Sequence, residues 1–219
     1  MAEEADRRSD MTLAPEHPCP PVAHITEETT HTTEETTVSL IDIAETVFQN
    51  LPGYRPEILG GQLIVTPPAD PPHAESLTNL TLAFAALHQG ETRVVQAVGI
   101  WLPTGEEDYA IPDLAVVDAD HRDHMAPYNC IDPAVFRMVF EVTSSNWRDD
   151  LDRKPSHYAR AGVPVYVIGD RKHGEVIVLT DPHDGEYRTR SVHRPGESFV
   201  LPESIGAKVE LEVDSLLSE

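Results

Sequence analysis

The run Met138-Val-Phe-Glu141-Val142 limits the choice of fold more than any other stretch of the chain. Arg137 to Val142 is short and strongly apolar, which suits a strand inside a sheet. A glutamate in such a run is costly to bury unless it is hydrogen-bonded, paired with a cation or bound to a metal. Either Glu141 ends an edge strand and pairs with an arginine, or the fold delivers a cation to it.

The surrounding pattern supplies that fold. Ser39 is a suitable N-cap, and Leu40, Ala44, Val47, Phe48 and Leu51 follow at helical spacing until Pro52-Gly53. Glu57-Ile-Leu, Gly60-Gly61 and Gln62-Leu-Ile-Val read as a hairpin. After a proline-rich loop, a second helix is predicted from Ala74 to His88. Val94–Leu102 and Asp113–Val117 read as strands, as does Val163–Ile168 after a helix closed by Gly162. Glu175–Thr180 and Tyr187–Val192 form a hairpin with Asp184-Gly185 near its turn, and Val209–Leu217 is a short amphipathic strand or helix. Helices alternating with groups of strands predict an α/β or α+β sandwich around a mixed sheet.

Residues 1–38 lie apart from this pattern. They are an acidic segment rich in Thr, Glu and Pro, with a near-repeat of Thr-Glu-Glu-Thr-Thr. Too little apolar surface is present to offset ordering, so the segment is read as a disordered tail ahead of a domain at 39–219. No apolar core follows the first residues, so a secretory leader is not expected. No run approaches the roughly 18 apolar residues of a membrane span. Cys19 and Cys130 read as free thiols of a cytoplasmic protein. Sixteen Lys and Arg against 38 Asp and Glu give a net charge of −22. That balance argues against a tight, non-specific DNA binder, because phosphate contacts require a basic footprint.

Three segments carry chemistry. Pro112-Asp113 opens an apolar strand, Glu141 ends another, and Asp149–Gly162 contains Lys154 and Tyr158. Two carboxylates on neighbouring strands suit a magnesium ion, which takes oxygen ligands. The main-chain carbonyl of Val142 is a third candidate ligand, and Lys154 could orient a water or stabilise transition-state charge. Singly, Asp113 also suits a turn and Lys154 a solvated helix; the joint pattern favours the site. A second acidic and histidine-rich stretch, Asp118–His124, matches no zinc or calcium loop and reads as a polar connection.

Glu141-Val-Thr-Ser-Ser, Asp150, Lys154-Pro155 and Tyr158-Ala-Arg-Ala-Gly-Val-Pro-Val-Tyr166 together resemble the Uma-two family of restriction endonucleases in the PD-(D/E)xK superfamily. Tyr54-Arg-Pro-Glu57-Ile-Leu-Gly-Gly61, Pro67-Pro68, His73 and Pro112-Asp113 extend the resemblance over residues 40 to 217. It implies a restriction-endonuclease-like central mixed sheet flanked by helices, a carboxylate pair on Mg²⁺ (Mn²⁺ as a substitute), homodimers and DNA as substrate. It also implies that Glu57, from the early hairpin, and His73, opening the next helix, lie near the metal. A hairpin surface glutamate and a capping histidine are the plainer alternatives. The chain departs from the superfamily pattern at Thr143, where a lysine is usual, so the lysine is expected on the next helix as Lys154. Three readings follow: a metal-dependent endodeoxyribonuclease, a nuclease-fold binding or regulatory module without turnover, and a hydrolase of another phosphoester.

Overall fold

The computed structural model describes residues 23–26, 38–144 and 146–217. In chain order these form β1 (Ala23–Thr26), α1 (Leu40–Asn50), β2 (Arg55–Ile58), β3 (Gln62–Thr66) and α2 (Pro71–Ala83). Then come β4 (Thr92–Gln96), β5 (Gly99–Trp101), β6 (Tyr109–Ala110), β7 (Leu114–Asp118), β8 (Cys130–Ile131) and β9 (Phe136–Val142). A five-residue π-helical turn, Asp149–Arg153, leads into α3 (Lys154–Arg160). The chain continues through β10 (Val165–Asp170), β11 (Glu175–His183), β12 (Glu186–His193), β13 (Ser198–Leu201), β14 (Val209–Glu212) and α4 (Val213–Leu216).

The strands build two six-stranded sheets, β1-β3-β2-β6-β5-β8 and β12-β11-β10-β9-β7-β4, and a β13-β14 ribbon. In the second sheet β9 runs parallel to β10 and antiparallel to β7, so the sheet is mixed, as expected. Strand alternation sorts its side chains onto two faces. Leu114, Val116, Met138, Phe140, Val165 and Val167 pack with Leu80 of α2, with Phe84 at its C-cap and with the ribbon. Ala115, Val117, Val139, Tyr166 and Ile168 turn the other way, against Tyr158 of α3 and against Ile64 and Ile100 of the first sheet. By the same parity Asp113 and Glu141 belong to this second face, between the sheets.

Local signals explain the element boundaries. Ser39 caps α1 in a capping box with Asp42, at 3.2 Å in both directions. Asp70 caps α2, and Pro71 and Pro72 occupy its first turn, where missing N–H groups cost nothing. The β11-β12 hairpin turns on Asp184 and Gly185, both at positive φ (51° and 82°), the geometry that an Asp-Gly pair favours. The C-terminal stretch is both strand and helix, β14 followed directly by α4.

Val94–Leu102 does not form the single strand expected. It breaks into β4 and β5, which belong to different sheets. The break falls at Ala97, with φ at 50°. An L-residue in this left-handed region costs roughly 1–2 kcal/mol. Ala97→Gly is therefore expected to raise stability by about 1 kcal/mol, measurable by urea denaturation. Of the 1–38 segment, Ala23–Thr26 forms an edge strand antiparallel to β3, a local departure from the disordered reading. The rest of that segment through residue 37 lies outside the described residues.

Candidate functional site

The register of β7 on β9 sets Leu114 opposite Phe140, which brings Asp113 across from Glu141. The main-chain N–H of Asp113 lies 3.3 Å from Glu141 Oε2, and the N–H of Val142 donates to Asp113 Oδ2 at 2.8 Å. Both carboxylates are buried at 2% exposure, so neither is a surface turn residue or a strand-edge ion pair.

Three further elements close on this pair. Alternation along β2 puts Arg55 and Glu57 on one face. Arg55 Nη1 donates to Asp113 Oδ1 at 2.6 Å, and Glu57 Oε1 accepts from the N–H of Ile111 at 2.7 Å. Lys154, at the start of α3, donates to Glu141 Oε1 at 2.8 Å and lies 3.3 Å from Glu57 and 3.2 Å from Asp150. Its side chain is only 3% exposed, which excludes the solvated-lysine alternative. Tyr158, one helical turn on, donates its hydroxyl to the same Glu141 oxygen at 2.9 Å. His73, in the first turn of α2, sets Nε2 3.2 Å from Asp113 Oδ2 without the alignment of a hydrogen bond. The capping role belongs to Asp70, which accepts from the N–H of His73.

The position of Lys154 depends on the π-turn. Residues before proline avoid helical geometry, yet Lys154 has φ −56° and ψ −34°. In a continuous α-helix the Pro155 ring would press on the carbonyl of Leu151, four residues back. The wider turn relieves that clash, and the N–H of Lys154 reaches back to Asp149 O. The same turn aims Asp150 inward, where it is 3% exposed.

Glu57, His73, Asp113, Glu141 and Lys154 thus meet in one buried network. Sequence reading gave Arg55 and Asp150 no role in the site, although both stand in the segments that resemble the family. Arg55 stands two residues before Glu57, on the same strand face, and Asp150 stands four residues before Lys154 on the helix. Those spacings were the available signals.

Electrostatics set the network under tension. Four carboxyl groups (Glu57, Asp113, Glu141, Asp150) surround two permanent cations (Arg55, Lys154), so acids outnumber cations by two. Burial pushes the Glu141 carboxyl up to about 7, with Asp113 and Glu57 adding to the rise and Lys154 opposing it. Burial likewise lifts Asp150 well above the ordinary carboxylate range, although Lys154 opposes the rise. Burial also acts to raise Asp113, but His73, the Arg55 charge and the Val142 N–H outweigh it and hold that carboxyl low. Burial disfavours the Lys154 ammonium, yet Glu141, Glu57 and Asp150 keep it firmly protonated. Among the described residues, no three His, Cys, Asp or Glu side chains converge as a ready-made metal cage. Asp118–His124 is a largely exposed loop, with Asp118 paired to Arg137.

Arg55 and His73 also line a cleft of about 620 Å³ between the start of α2, the end of β9 and the β10-β11 turn. Residues 45–214 match the model of the Uma2 family, described as "putative restriction endonuclease". The chain belongs to the Uma2 family. The match covers most of the chain and includes every residue of the network. A solved structure from Anabaena variabilis ATCC 29413, titled as a "putative nuclease belonging to DUF820", superposes with a TM-score of 0.60 at 15% identity. The alignment covers 82% of this Uma2 chain and 97% of the other. At that identity the likeness establishes the fold, which is restriction-endonuclease-like. No curated protein matches by sequence. Among the described residues, no helix is long and apolar enough to cross a membrane.

Proposed function

We propose that this Uma2 member is a divalent-metal-dependent endonuclease that hydrolyses DNA phosphodiester bonds. The observation that carries the reading is the pairing of Asp113 with Glu141, buried behind two cleft residues in a cluster where acids outnumber cations. Carboxylate oxygens on adjacent strands are the donors that a hard cation such as Mg²⁺ or Mn²⁺ takes. Asp113 and Glu141 would hold the ion, with the Val142 carbonyl as a third candidate. When bound, the ion would lower the pKa of a coordinated water and neutralise charge on the phosphate.

The remaining roles belong to side chains. Lys154 and Tyr158 both donate to Glu141 Oε1, which fixes that carboxylate's orientation. The Lys154 ammonium is the cation placed to offset negative charge gathering around Glu141 as water attacks phosphorus. Glu57 and Asp150 anchor the ammonium. His73 stands beside Asp113 on the cleft side.

A second reading draws on the net charge of −22 and on Arg55 covering Asp113 Oδ1: a nuclease-fold binding or regulatory module without turnover. Supercoiled plasmid incubated with the protein and Mg²⁺ or Mn²⁺ separates the two. Relaxation that stops with chelator supports the nuclease. Intact plasmid together with measurable Mn²⁺ binding by calorimetry supports the binding module. No metal binding and no cleavage would remove the basis of the metal reading.

A further inference from the structure

The cleft in front of the network departs from the charge balance of the chain. Its titratable lining is Arg55, Arg171, Lys172 and His73, against Asp70 and Asp214. Arg171 is held by Asp70 at 2.9 and 3.1 Å. Lys172 places its ammonium 3.5 Å from the centre of the Trp147 ring, and among the described residues it makes no carboxylate pair. His73 gives an independent sign of a ligand. Its side chain is 3% exposed and lines the cleft; Nε2 faces Asp113 Oδ2 at 3.2 Å, while Nδ1 has no partner among the described residues. A buried Nδ1 left in that state lacks the partner its burial calls for.

Arg55 joins the cleft to the network. Its side chain is 25% exposed while the carboxylate it holds is 2% exposed, so it reaches inward from the cleft wall. Asp113 Oδ2 is already engaged by the Val142 N–H, and Arg55 covers Oδ1. A cation competes with the guanidinium for Oδ1 and gains that oxygen fully when the guanidinium leaves. An arginine leaves one anion readily for another that offers the same forked geometry, and a phosphodiester does.

We propose that the cleft is a phosphodiester site for a nucleic-acid strand, and that its occupancy draws Arg55 off Asp113, so that strand and metal bind cooperatively. The metal half of this rests on the nuclease reading; the phosphodiester half does not. Lys172 and Arg171 supply the outer phosphate contacts, His73 the inner donor, and Trp147 an aromatic wall of the kind that single-stranded nucleic acid uses. Cooperativity follows from linkage: an Arg55 turned to a bound phosphate neutralises Asp113 less, so each ligand favours the state that admits the other.

The chain has two tryptophans, so Trp101→Phe leaves Trp147 as the sole indole reporter. Dimethyl phosphate titrated into that variant, against sodium chloride of equal ionic strength, is expected to give a saturable fluorescence change that Lys172→Gln removes. A response identical to the salt control overturns the site. A short DNA single strand is expected to bind at least about tenfold tighter than dimethyl phosphate, through repeated phosphate and stacking contacts; equal binding overturns the nucleic-acid assignment. Calorimetry with Mn²⁺ reads the coupling. Saturating dimethyl phosphate should tighten Mn²⁺ binding about tenfold in the full chain. Arg55→Gln should bind Mn²⁺ equally with and without the diester. Coupling that survives in Arg55→Gln overturns the role of Arg55. If the fluorescence saturates but neither protein binds Mn²⁺, the nuclease reading and the coupling both fail, while the phosphodiester site stands.

Discussion

Asp113→Asn is expected to abolish plasmid relaxation, with a loss on the order of a thousandfold, while the protein stays folded. The amide keeps the size of the side chain and can still accept the Val142 N–H. It loses the charge that a divalent ion requires, and it leaves Arg55 without an anionic partner. Because the Arg55 side chain is partly exposed, the guanidinium can turn to solvent, so the cost in stability should be small. Glu141→Gln should match it in activity, since the two carboxylates act as one unit and their losses are not additive. Mn²⁺ calorimetry is the companion measurement, and both variants should lose the binding isotherm. If either variant relaxes plasmid at the wild-type rate, the assignment of the carboxylate pair is wrong.

Lys154→Ala is the substitution expected to damage the fold most. It leaves Glu57, Glu141 and Asp150 buried together without their shared cation. Removing one partner of a buried charge cluster costs about 3–5 kcal/mol, which for a chain of this size lowers Tm by roughly 10 °C. The loss should depend on pH, and its sign is fixed by Glu141. The folded-state pKa of Glu141, about 7, lies above its ordinary 4.5. Stability from this carboxyl is full below the ordinary value and is lost as pH rises through 7. Without Lys154, both Glu141 and Asp150 lose the charge that opposed their rise, so they hold protons to still higher pH. The deficit against wild type should therefore be largest near pH 8 and shrink towards pH 5, as neutral carboxyls replace unpaired carboxylates. Thermal melts at the two pH values measure it. An equal deficit at both would mean that Lys154 contributes packing rather than charge.

Much of this site was legible before the fold was known, because burying an acid in an apolar strand leaves few physical outcomes. Glu141 demanded a partner, Pro112-Asp113 supplied a second strand-end carboxylate, and the order of motifs placed Lys154 on the following helix. The hairpin turns were equally plain, since Gly60-Gly61 and Asp184-Gly185 suit backbone angles that other residues resist. What escaped depended on tertiary context. Val94–Leu102 is continuously compatible with a strand, and nothing about Ala97 announces a left-handed residue, so the passage between sheets was hidden. Asp150 lies in a polar stretch ahead of a helix, and only the widened turn carries it inside. Arg55 was visible as a neighbour of Glu57, but a single arginine on a hairpin is ordinarily a surface residue.

The widened turn at Asp149–Arg153 also limits how this protein can change. It holds one more residue than an α-helical turn would, so trimming it to regular helix would rotate everything beyond it by about 100°. That rotation would carry the Lys154 ammonium away from Glu141 and swing Tyr158 off the same oxygen. Drift in this stretch can therefore replace side chains more easily than it can shorten the chain, and loop length here is as tightly constrained as the identity of any acid in the site.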